Sequence, residues 1–275
     1  MKFCVLASGS SGNCIFISSQ QTGILIDAGL SARETVRRLE QIGVPIAGIS
    51  AICLTHEHGD HVAGLFTLNQ RHDIKLYANS GTISALNRDP KMQRLQWQIF
   101  STGSGFQIGD LTIDPFPVSH DAYEPVGFIV SCGNSRVGIA TDIGAPTHLV
   151  RELLRPCRAL IIESNHDEQL LAEAKRPWTL KQRIAGRQGH LSNRHAAEMV
   201  AEIASPDLSH VFLCHLSSDC NRPELALKEI TKLLEKRGFA RVKVCLTFAE
   251  KNSELWTDQG ENNGSEVVNH KSNSN

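Results

Sequence analysis

Three histidines and two acidic residues fall within six positions of this chain, in the segment LTHEHGDHVAGL at residues 54–65. The apolar run ISAICLT at residues 49–55 leads into this cluster, and its length and composition predict a buried strand. A helical spacing of apolar residues begins at position 61. The cluster therefore occupies a loop between a strand and a helix, where imidazole and carboxylate groups can converge on a divalent metal ion. The alternative is a solvated loop in which Asp60 caps the helix.

Polar residues follow three other predicted strands in the same way. His120 comes after LTIDPFPV, Asp142 after SRVGIA, and His215 after SHVFLC. Each has an ordinary explanation on its own, as a turn residue, a helix cap or a histidine with local hydrogen bonds. Together, four strand ends that carry His or Asp predict one metal centre on a shared rim.

The order of predicted elements bounds the fold. Apolar runs at 3–7, 13–18 and 23–29 predict neighbouring strands, and a helical pattern follows at 31–42. The pattern then continues as strands and helices in a second half of similar plan. This order favours two sheets packed face to face with helices outside. The polar segment 251–275 lacks apolar periodicity, which predicts a domain over 1–250 and a disordered tail.

Composition narrows the class of protein. The chain has 275 residues, 41% of them hydrophobic, and a net charge of −1, which is typical of a globular domain. No apolar stretch approaches the ~20 residues needed to span a bilayer, so no membrane segment is expected. None of the eight cysteines forms a C-x-x-C pair and most lie in apolar runs, which predicts a reduced, cytoplasmic protein. The oligomeric state, monomer or dimer, stays open.

The order H-x-H-x-D-H, followed by His, Asp and His, resembles the metallo-β-lactamase superfamily. The resemblance implies an α/β fold, a four-layer αββα sandwich, with two divalent metal ions per chain. One ion would be bound by His56, His58 and His120, and the other by Asp60, His61 and His215, with Asp142 bridging both. A ligand set of nitrogen and oxygen accepts both Mn²⁺ and Zn²⁺, so the metal stays open.

Five further segments resemble a narrower group. These are SGSSGNC at 8–14, SHDAYEPVGF at 119–128, ESNHD at 163–167, GHLSN at 189–193 and HLSSDCNRPELA at 215–226. In this order they are similar to the small bacterial exonucleases of the YycJ/WalJ type. The resemblance implies a 5′-to-3′ DNA exonuclease with a metal-bridging hydroxide as nucleophile and no large cap domain. The run SSDCN is less acidic than the group's pattern, which leaves contacts near Asn221 open.

The proton donor is assigned by a second resemblance. The tRNA 3′-processing endonucleases of the superfamily have a similar Glu-and-His arrangement between the Asp ligand and the last His ligand. Carried over, this makes His190 the general acid and Glu163 the residue that orients it. Asp60, one of the expected metal ligands, is also expected to be catalytic. His166 is a rival acid, and His190 can instead be an ordinary loop histidine.

A basic stretch points to a nucleic-acid substrate. Residues between Ala174 and Glu198 include six basic residues, Trp178 and no acid, a density that suits phosphate contacts and base stacking. The predicted substrate contacts are Lys181, Arg183, Arg187, Ser192, Asn193 and Asn221. Ser8, Ser11 and Asn13, from the run of small residues SGSSGNC between the first two predicted strands, are added to them. The alternatives are a solvated loop for the stretch and a plain hairpin turn for the serines.

Three functions compete. The first is the DNA exonuclease, with an RNA-processing nuclease as its close variant. The second is a phosphodiesterase for small cyclic ribose phosphates, against which the basic stretch argues, since a small substrate needs only one or two cations. The third is a binding module with a degraded site, which the seven filled ligand positions disfavour.

Overall fold

A computed structural model describes residues 1–258 of the chain and contains fourteen strands and nine α-helices there. The first half contains β1 (Lys2–Ala7), β2 (Cys14–Ser18), β3 (Gly23–Ile26), α1 (Ala32–Gln41), β4 (Ile49–Cys53), α2 (Gly59–Val62), α3 (Leu65–His72), β5 (Lys75–Ala78), α4 (Ser80–Leu86) and β6 (Trp97–Ile99). The second half contains β7 (Phe106–Ile108), β8 (Leu111–Pro117), β9 (Val126–Cys132), β10 (Ser135–Ala140), α5 (His148–Leu154), β11 (Ala159–Glu163), α6 (Glu168–Glu173), α7 (Trp178–Ala185), α8 (Asn193–Ile203), β12 (His210–Cys214), α9 (Pro223–Lys236), β13 (Lys243–Leu246) and β14 (Trp256–Thr257). None of these helices is both long and apolar enough to cross a bilayer.

The strands form two mixed sheets of seven strands each. Their orders are β14-β1-β2-β3-β4-β5-β6 and β13-β12-β11-β10-β9-β8-β7. In the first sheet the strands from β3 to β6 are parallel, and in the second those from β10 to β13 are parallel. The remaining neighbours pair antiparallel. Because parallel strands have their carboxyl ends on one edge, each sheet offers a rim on which loop residues can meet.

Three apolar layers hold the two sheets and their helices together. The inner layer packs sheet against sheet and includes the fully buried Phe128 and Phe212. One outer layer joins the first sheet to its helices through Leu39 and Leu76, and the other joins the second sheet to its helices around Met199. These three apolar layers lie between four layers of secondary structure, in the order helices, sheet, sheet, helices. This arrangement confirms the predicted αββα sandwich. No cap domain is inserted anywhere in residues 1–258.

The predicted helix at 61–72 is two helices, α2 and α3. The chain breaks at Gly64, whose N–H donates to the carbonyl of Ala28 at 2.8 Å. A Cβ at position 64 would lie 2.0 Å from the carbonyl oxygen of Leu30, so only glycine allows this approach. The break turns the segment that contains His56, His58 and His61 back against the loop that follows β3.

Helix α7 was not predicted. Its sequence, WTLKQRIA, belongs to the basic stretch, in which apolar residues do not recur at a clear helical spacing. None of the residues of α7 is buried. The helix stands on the rim of the domain without core packing of its own, which explains why apolar periodicity did not reveal it.

The predicted boundary at residue 250 is wrong. Trp256 and Thr257 form β14, which pairs antiparallel with β1. The Trp256 ring is 4% exposed, stacks on Phe3 at a centroid distance of 5.1 Å, and donates its Nε1–H to His210 Nδ1 at 3.2 Å. The folded domain therefore reaches at least residue 258, and the rest of the predicted tail lies outside the described residues.

All eight cysteines are free, and seven of them are buried. Burial raises the pKa of the Cys14 and Cys53 thiols, and it raises those of Cys157 and Cys245 to about 12. These thiols therefore act as small apolar side chains. Cys132 alone is partly exposed.

Candidate metal centre

His56, His58 and His120 form the first part of the site. One imidazole nitrogen of each lies within 4.8 Å of those of the other two. The ring centroid of His56 lies 4.6 Å from that of His58 and 5.2 Å from that of His120. His56 and His120 are buried, whereas His58 opens helix α2 at the edge of the cleft. Three imidazoles that converge in this way can bind one divalent ion.

Asp60, His61 and His215 form the second part, with Asp142 between the two. His61 Nε2 lies 3.1 Å from Asp142 Oδ2 and 3.6 Å from Asp60 Oδ2. His215 Nε2 lies 3.8 Å from the same oxygen of Asp60. Asp142 Oδ1 lies 3.8 Å from His120 Nε2, which connects the two parts. The structure thus brings all seven predicted ligands into one cluster.

Asp27 was missed by the sequence analysis. It follows β3, is 2% exposed, and its Oδ2 lies 2.7 Å from His61 Nδ1. Its Oδ1 accepts the N–H of Thr55 at 2.8 Å, which fixes the carboxylate. When His61 donates from Nδ1, its Nε2 lone pair points at the cluster. The available signal was a single acid at the end of the apolar run GILID, the same strand-end feature that revealed Asp142.

Backbone geometry supports the cluster. Asp27, Asp142 and His215 have φ angles of 61°, 50° and 56°, in the left-handed region that residues other than glycine rarely adopt. Each follows the end of a central strand. Non-glycine residues held in this region concentrate at functional sites, because the surrounding structure must compensate the strain.

The unpaired polar atoms fit a metal ion. His56 Nε2 and His215 Nε2 are buried and have no hydrogen-bond partner among the described residues. Asp142 Oδ2 has none either, because His61 Nε2, 3.1 Å away, carries no proton when His61 donates from Nδ1. Buried polar atoms without partners are costly, and cations bound between these residues would satisfy all three. Burial lowers the pKa of His56 well below its usual value, so its nitrogen is available as a neutral ligand. This cluster can therefore hold a divalent metal ion.

Comparison with known proteins agrees with this geometry. The sequence profile of the beta-lactamase superfamily domain matches residues 22–216. The exodeoxyribonuclease YycJ of Bacillus anthracis is 36% identical over 243 residues, which cover 87% of this chain and 91% of that protein. The chain belongs to the YycJ/WalJ family of the metallo-β-lactamase superfamily.

One further relative and one solved structure agree with this family and its fold. The exodeoxyribonuclease WalJ of Streptococcus pneumoniae serotype 2 is 34% identical, with 82% of this chain and 85% of that protein covered. The crystal structure of the metallo-β-lactamase fold protein YhfI from Bacillus subtilis superposes with a TM-score of 0.71. At 16% identity, with 93% of this chain and 99% of that chain covered, YhfI supports the fold alone.

Glu163 and His190 form a pair beside the cluster of this YycJ/WalJ-family chain. His190 Nδ1 lies 2.7 Å from Glu163 Oε1, and His215 Nδ1 lies 2.8 Å from the same oxygen. Burial opposes a charged Glu163, but the two imidazoles outweigh burial and lower its pKa below the usual range. Burial likewise opposes a charged His190, but the Glu163 carboxylate raises its pKa above the ordinary value. The rival acid, His166, is buried and has a pKa lowered by burial.

Ser8 and Asn13 lie inside the centre. Ser8 Oγ accepts the backbone N–H of His215 at 2.7 Å, and Asn13 Nδ2 donates to Asp60 Oδ2 at 3.1 Å. These contacts hold two of the metal-site residues in place. Ser11 is exposed in the same turn. Direct contact of the three with substrate stays a prediction.

Ser192, Asn193 and Asn221 form internal hydrogen bonds beside the cluster. All three are at most 4% exposed. Ser192 caps α8, and Asn221 donates to Asn193 Oδ1 at 2.9 Å and to the carbonyl of Ser164 at 2.9 Å. Their polar atoms are bonded within the protein and join the loops after β11 and β12 to α8. Contact of these three residues with substrate stays a prediction.

The basic stretch is partly neutralised by acids from other segments. Arg183 pairs with Asp121, and Arg176 with Asp219 at 2.6 Å. Arg194 pairs with Glu168 at 2.9 Å. The other three cations, Lys175, Lys181 and Arg187, form no ion pair within residues 1–258. The excess of positive charge beside the cleft is therefore smaller than the sequence indicated.

Proposed function

We propose that this protein is a metal-dependent 5′-to-3′ exodeoxyribonuclease of the cytoplasm. The observation that carries the proposal is the Glu163–His190 pair, whose imidazole lies 3.7 Å from Asp142, one of the seven predicted ligands that cluster beside it. A metal cluster with an oriented proton donor beside it suits hydrolysis of a phosphodiester. The exodeoxyribonuclease names of the two relatives support DNA as the substrate, and eight free thiols are consistent with a reducing compartment.

Two divalent ions, Mn²⁺ or Zn²⁺, would be held by the seven ligands. His56, His58 and His120 would hold one, Asp60, His61 and His215 the other, and Asp142 would contact both. When bound, such a pair supplies positive charge at the reacting phosphate and lowers the pKa of water. Asp27 and Glu163 hold His61 and His215 in the orientation that ligation by Nε2 requires.

The protein's own residues move the protons. The oxygen of water forms the new bond to phosphorus, and the carboxylate of Asp60, which is 24% exposed in its side chain, accepts the proton that this water loses. The bond from phosphorus to the 3′ oxygen of the terminal nucleotide breaks, and that oxygen takes the proton of His190. Glu163 keeps His190 protonated and correctly turned. The products are a nucleotide with a free 3′ hydroxyl and a strand with a 5′ phosphate.

A second candidate is hydrolysis of a small phosphodiester. The ion pairs of Arg176, Arg183 and Arg194 favour it, because paired cations are less available to a long phosphate backbone. The exodeoxyribonuclease relatives, matched over most of their length, favour the polymer.

The test is a nuclease assay with metal-free protein to which Mn²⁺ or Zn²⁺ is added. Substrates are 5′- and 3′-labelled DNA, matched RNA and bis(p-nitrophenyl) phosphate. We expect stepwise loss of DNA from the 5′ end. Digestion of RNA alone would replace DNA by RNA as the substrate, and cleavage of only the small diester would favour the second candidate.

The role of His190 has its own signature. His190→Gln should slow DNA cleavage by about 10²- to 10⁴-fold, the usual contribution of a general acid. The loss with bis(p-nitrophenyl) phosphate should be much smaller, because p-nitrophenolate leaves without a proton. His148→Gln, an exposed histidine at the start of α5, is the matched control and should retain both activities. Equal losses on both substrates would assign His190 a structural role.

A further inference from the structure

An apolar cavity of about 270 Å³ lies next to His190, outside the metal cluster. One wall is helix α7, which contributes Trp178, Lys181 and Gln182. The opposite side includes His166 and Leu171. The proposed hydrolysis uses none of these wall residues.

Helix α7 separates this cavity from the catalytic cleft. Trp178, Lys181, Gln182 and Ala185, at helical spacing, face the cavity. The residues at 180, 183 and 184 face the cleft that contains His215. Trp178 is 69% exposed and no residue of α7 is buried, so core packing does not explain the tryptophan. An exposed aromatic beside cations is typical of surfaces that stack nucleobases.

His190 connects the two spaces. Its ring centroid lies 5.2 Å from that of His120 and 5.1 Å from that of His215, and the same residue lines the cavity. A proton donor must lie at the leaving oxygen. The cavity is therefore on the leaving side of the scissile bond. In digestion from the 5′ end, the leaving side holds the terminal nucleotide.

We propose that this cavity binds the base of the nucleotide being removed, stacked on the face of Trp178; this rests on the proposed function. Its volume is slightly below the ~300–1,000 Å³ of sites for drug-sized ligands, which suits one flat heteroaromatic ring system. His166 lines the opposite side of the cavity but is only 2% exposed, so stacking on Trp178 is the contact on which the proposal depends. Lys181, on the same face of α7 as Trp178, places positive charge beside the bound nucleotide.

The kinetic test compares two DNA strands that differ only in the first residue. One begins with an ordinary nucleotide and the other with a base-free tetrahydrofuran residue. If the base stacks, wild-type protein should remove the nucleotide about 5- to 150-fold faster, the range expected for one stacked base. In Trp178→Ala this ratio should fall towards one, whereas Trp178→Phe should keep most of it. Leu149→Ala, another exposed apolar residue, is the matched control and should keep the wild-type ratio.

Two kinetic outcomes would overturn the proposal. The first is a wild-type ratio near one, because then the base contributes nothing. The second is a Trp178→Ala variant that keeps the wild-type ratio, because then the base binds elsewhere. If Trp178→Ala slows the removal of both first residues equally, the ratio is also unchanged, and Trp178 then has a structural role.

A binding measurement separates this proposal from the proposed function. Deoxyadenosine 5′-monophosphate should quench the fluorescence of exposed Trp178 saturably, and 2-deoxyribose 5-phosphate, which has no base, should not. Trp178→Phe should lose the quenching, since Trp256 is buried and Trp97 is half-buried. If wild-type protein digests no DNA, the proposed function fails, and the fluorescence titration alone then tests whether the cavity binds a base. Saturable quenching would support a nucleobase site. Absence of saturable quenching would overturn the proposal for the cavity.

Discussion

The contact between Asp27 and His61 makes a sharp prediction about metal binding. Asp27→Asn keeps the size of the side chain, and asparagine tolerates the left-handed backbone at φ 61°. The amide oxygen can still accept the N–H of Thr55. The amide nitrogen would then face His61 Nδ1, now 2.7 Å from a carboxylate oxygen, and this reverses the donor and acceptor roles. His61 would carry its proton on Nε2, the atom that faces the metal site.

The expected effect follows from this change of tautomer. Loss of a partner that orients a metal-binding histidine typically weakens metal binding by about 10- to 100-fold. At 1.36 kcal/mol per factor of ten, this is about 1.4–2.7 kcal/mol. We would measure it by competition between the metal-free protein and a fluorescent Zn²⁺ chelator. The exonuclease rate at saturating metal should recover in part, because Asp27 touches no substrate.

Asp73→Asn is the matched control. Asp73 also has a left-handed backbone, at φ 52°, but it is exposed at the end of α3, where its N–H donates to the carbonyl of Asn69. It should bind metal as wild type does. Wild-type metal affinity in Asp27→Asn would refute the reasoning, because His61 would then need no partner to present Nε2.

Three further predictions concern the fold. Iodoacetamide at pH 8 should label only Cys132 in the native protein and all eight cysteines after denaturation, as mass spectrometry would show; rapid labelling of a second native thiol would contradict the burial described. Gly29→Ala places a Cβ 1.7 Å from the carbonyl oxygen of Asp60, and should lower both the free energy of unfolding, by about 3 kcal/mol, and the metal content; a stable, metal-replete variant would be inconsistent with this contact. Glu34→Gln should lower the free energy of unfolding at pH 7 by about 1 kcal/mol, since Arg38 is 4% exposed and loses its charged partner. Arg37 and Arg38 lower the pKa of Glu34 from 4.5 to about 2, so the difference in unfolding free energy between wild type and Glu34→Gln should shrink as the pH falls through that range. Urea unfolding at pH 7 and pH 3 would measure it, and an equal difference at both pH values would contradict a role for the Glu34 charge.

The ligand cluster was predictable because its signals are local. His56, His120, Asp142 and His215 each follow an apolar strand, so the order of strands in the sequence predicted that these four side chains would meet. The structure adds the distances between them. Asp27 escaped because a lone acid after a strand forms no spacing motif, and its partner His61 is 34 residues away in the chain.

The parts that escaped prediction depend on contacts between distant segments. Strand β14 has two residues, too few to show any periodicity. It is held by pairing with β1 and by stacking of Trp256 on Phe3, which lies near the start of the chain. The charge of the basic stretch was overestimated for the same reason. Arg183 meets an acid 62 residues earlier, and Arg176 meets one 43 residues later. Local composition cannot reveal such pairs.

The most direct test of the proposed two-ion site is an activity titration. Metal-free protein is given Mn²⁺ or Zn²⁺ in steps, and the rate of 5′-end digestion is measured against the number of ions bound per chain. We expect little activity before the second ion binds and a plateau at about two equivalents, as a two-ion hydrolytic site requires. Full activity with one bound ion, or in the metal-free protein, would contradict the assignment of the seven ligands to two ions.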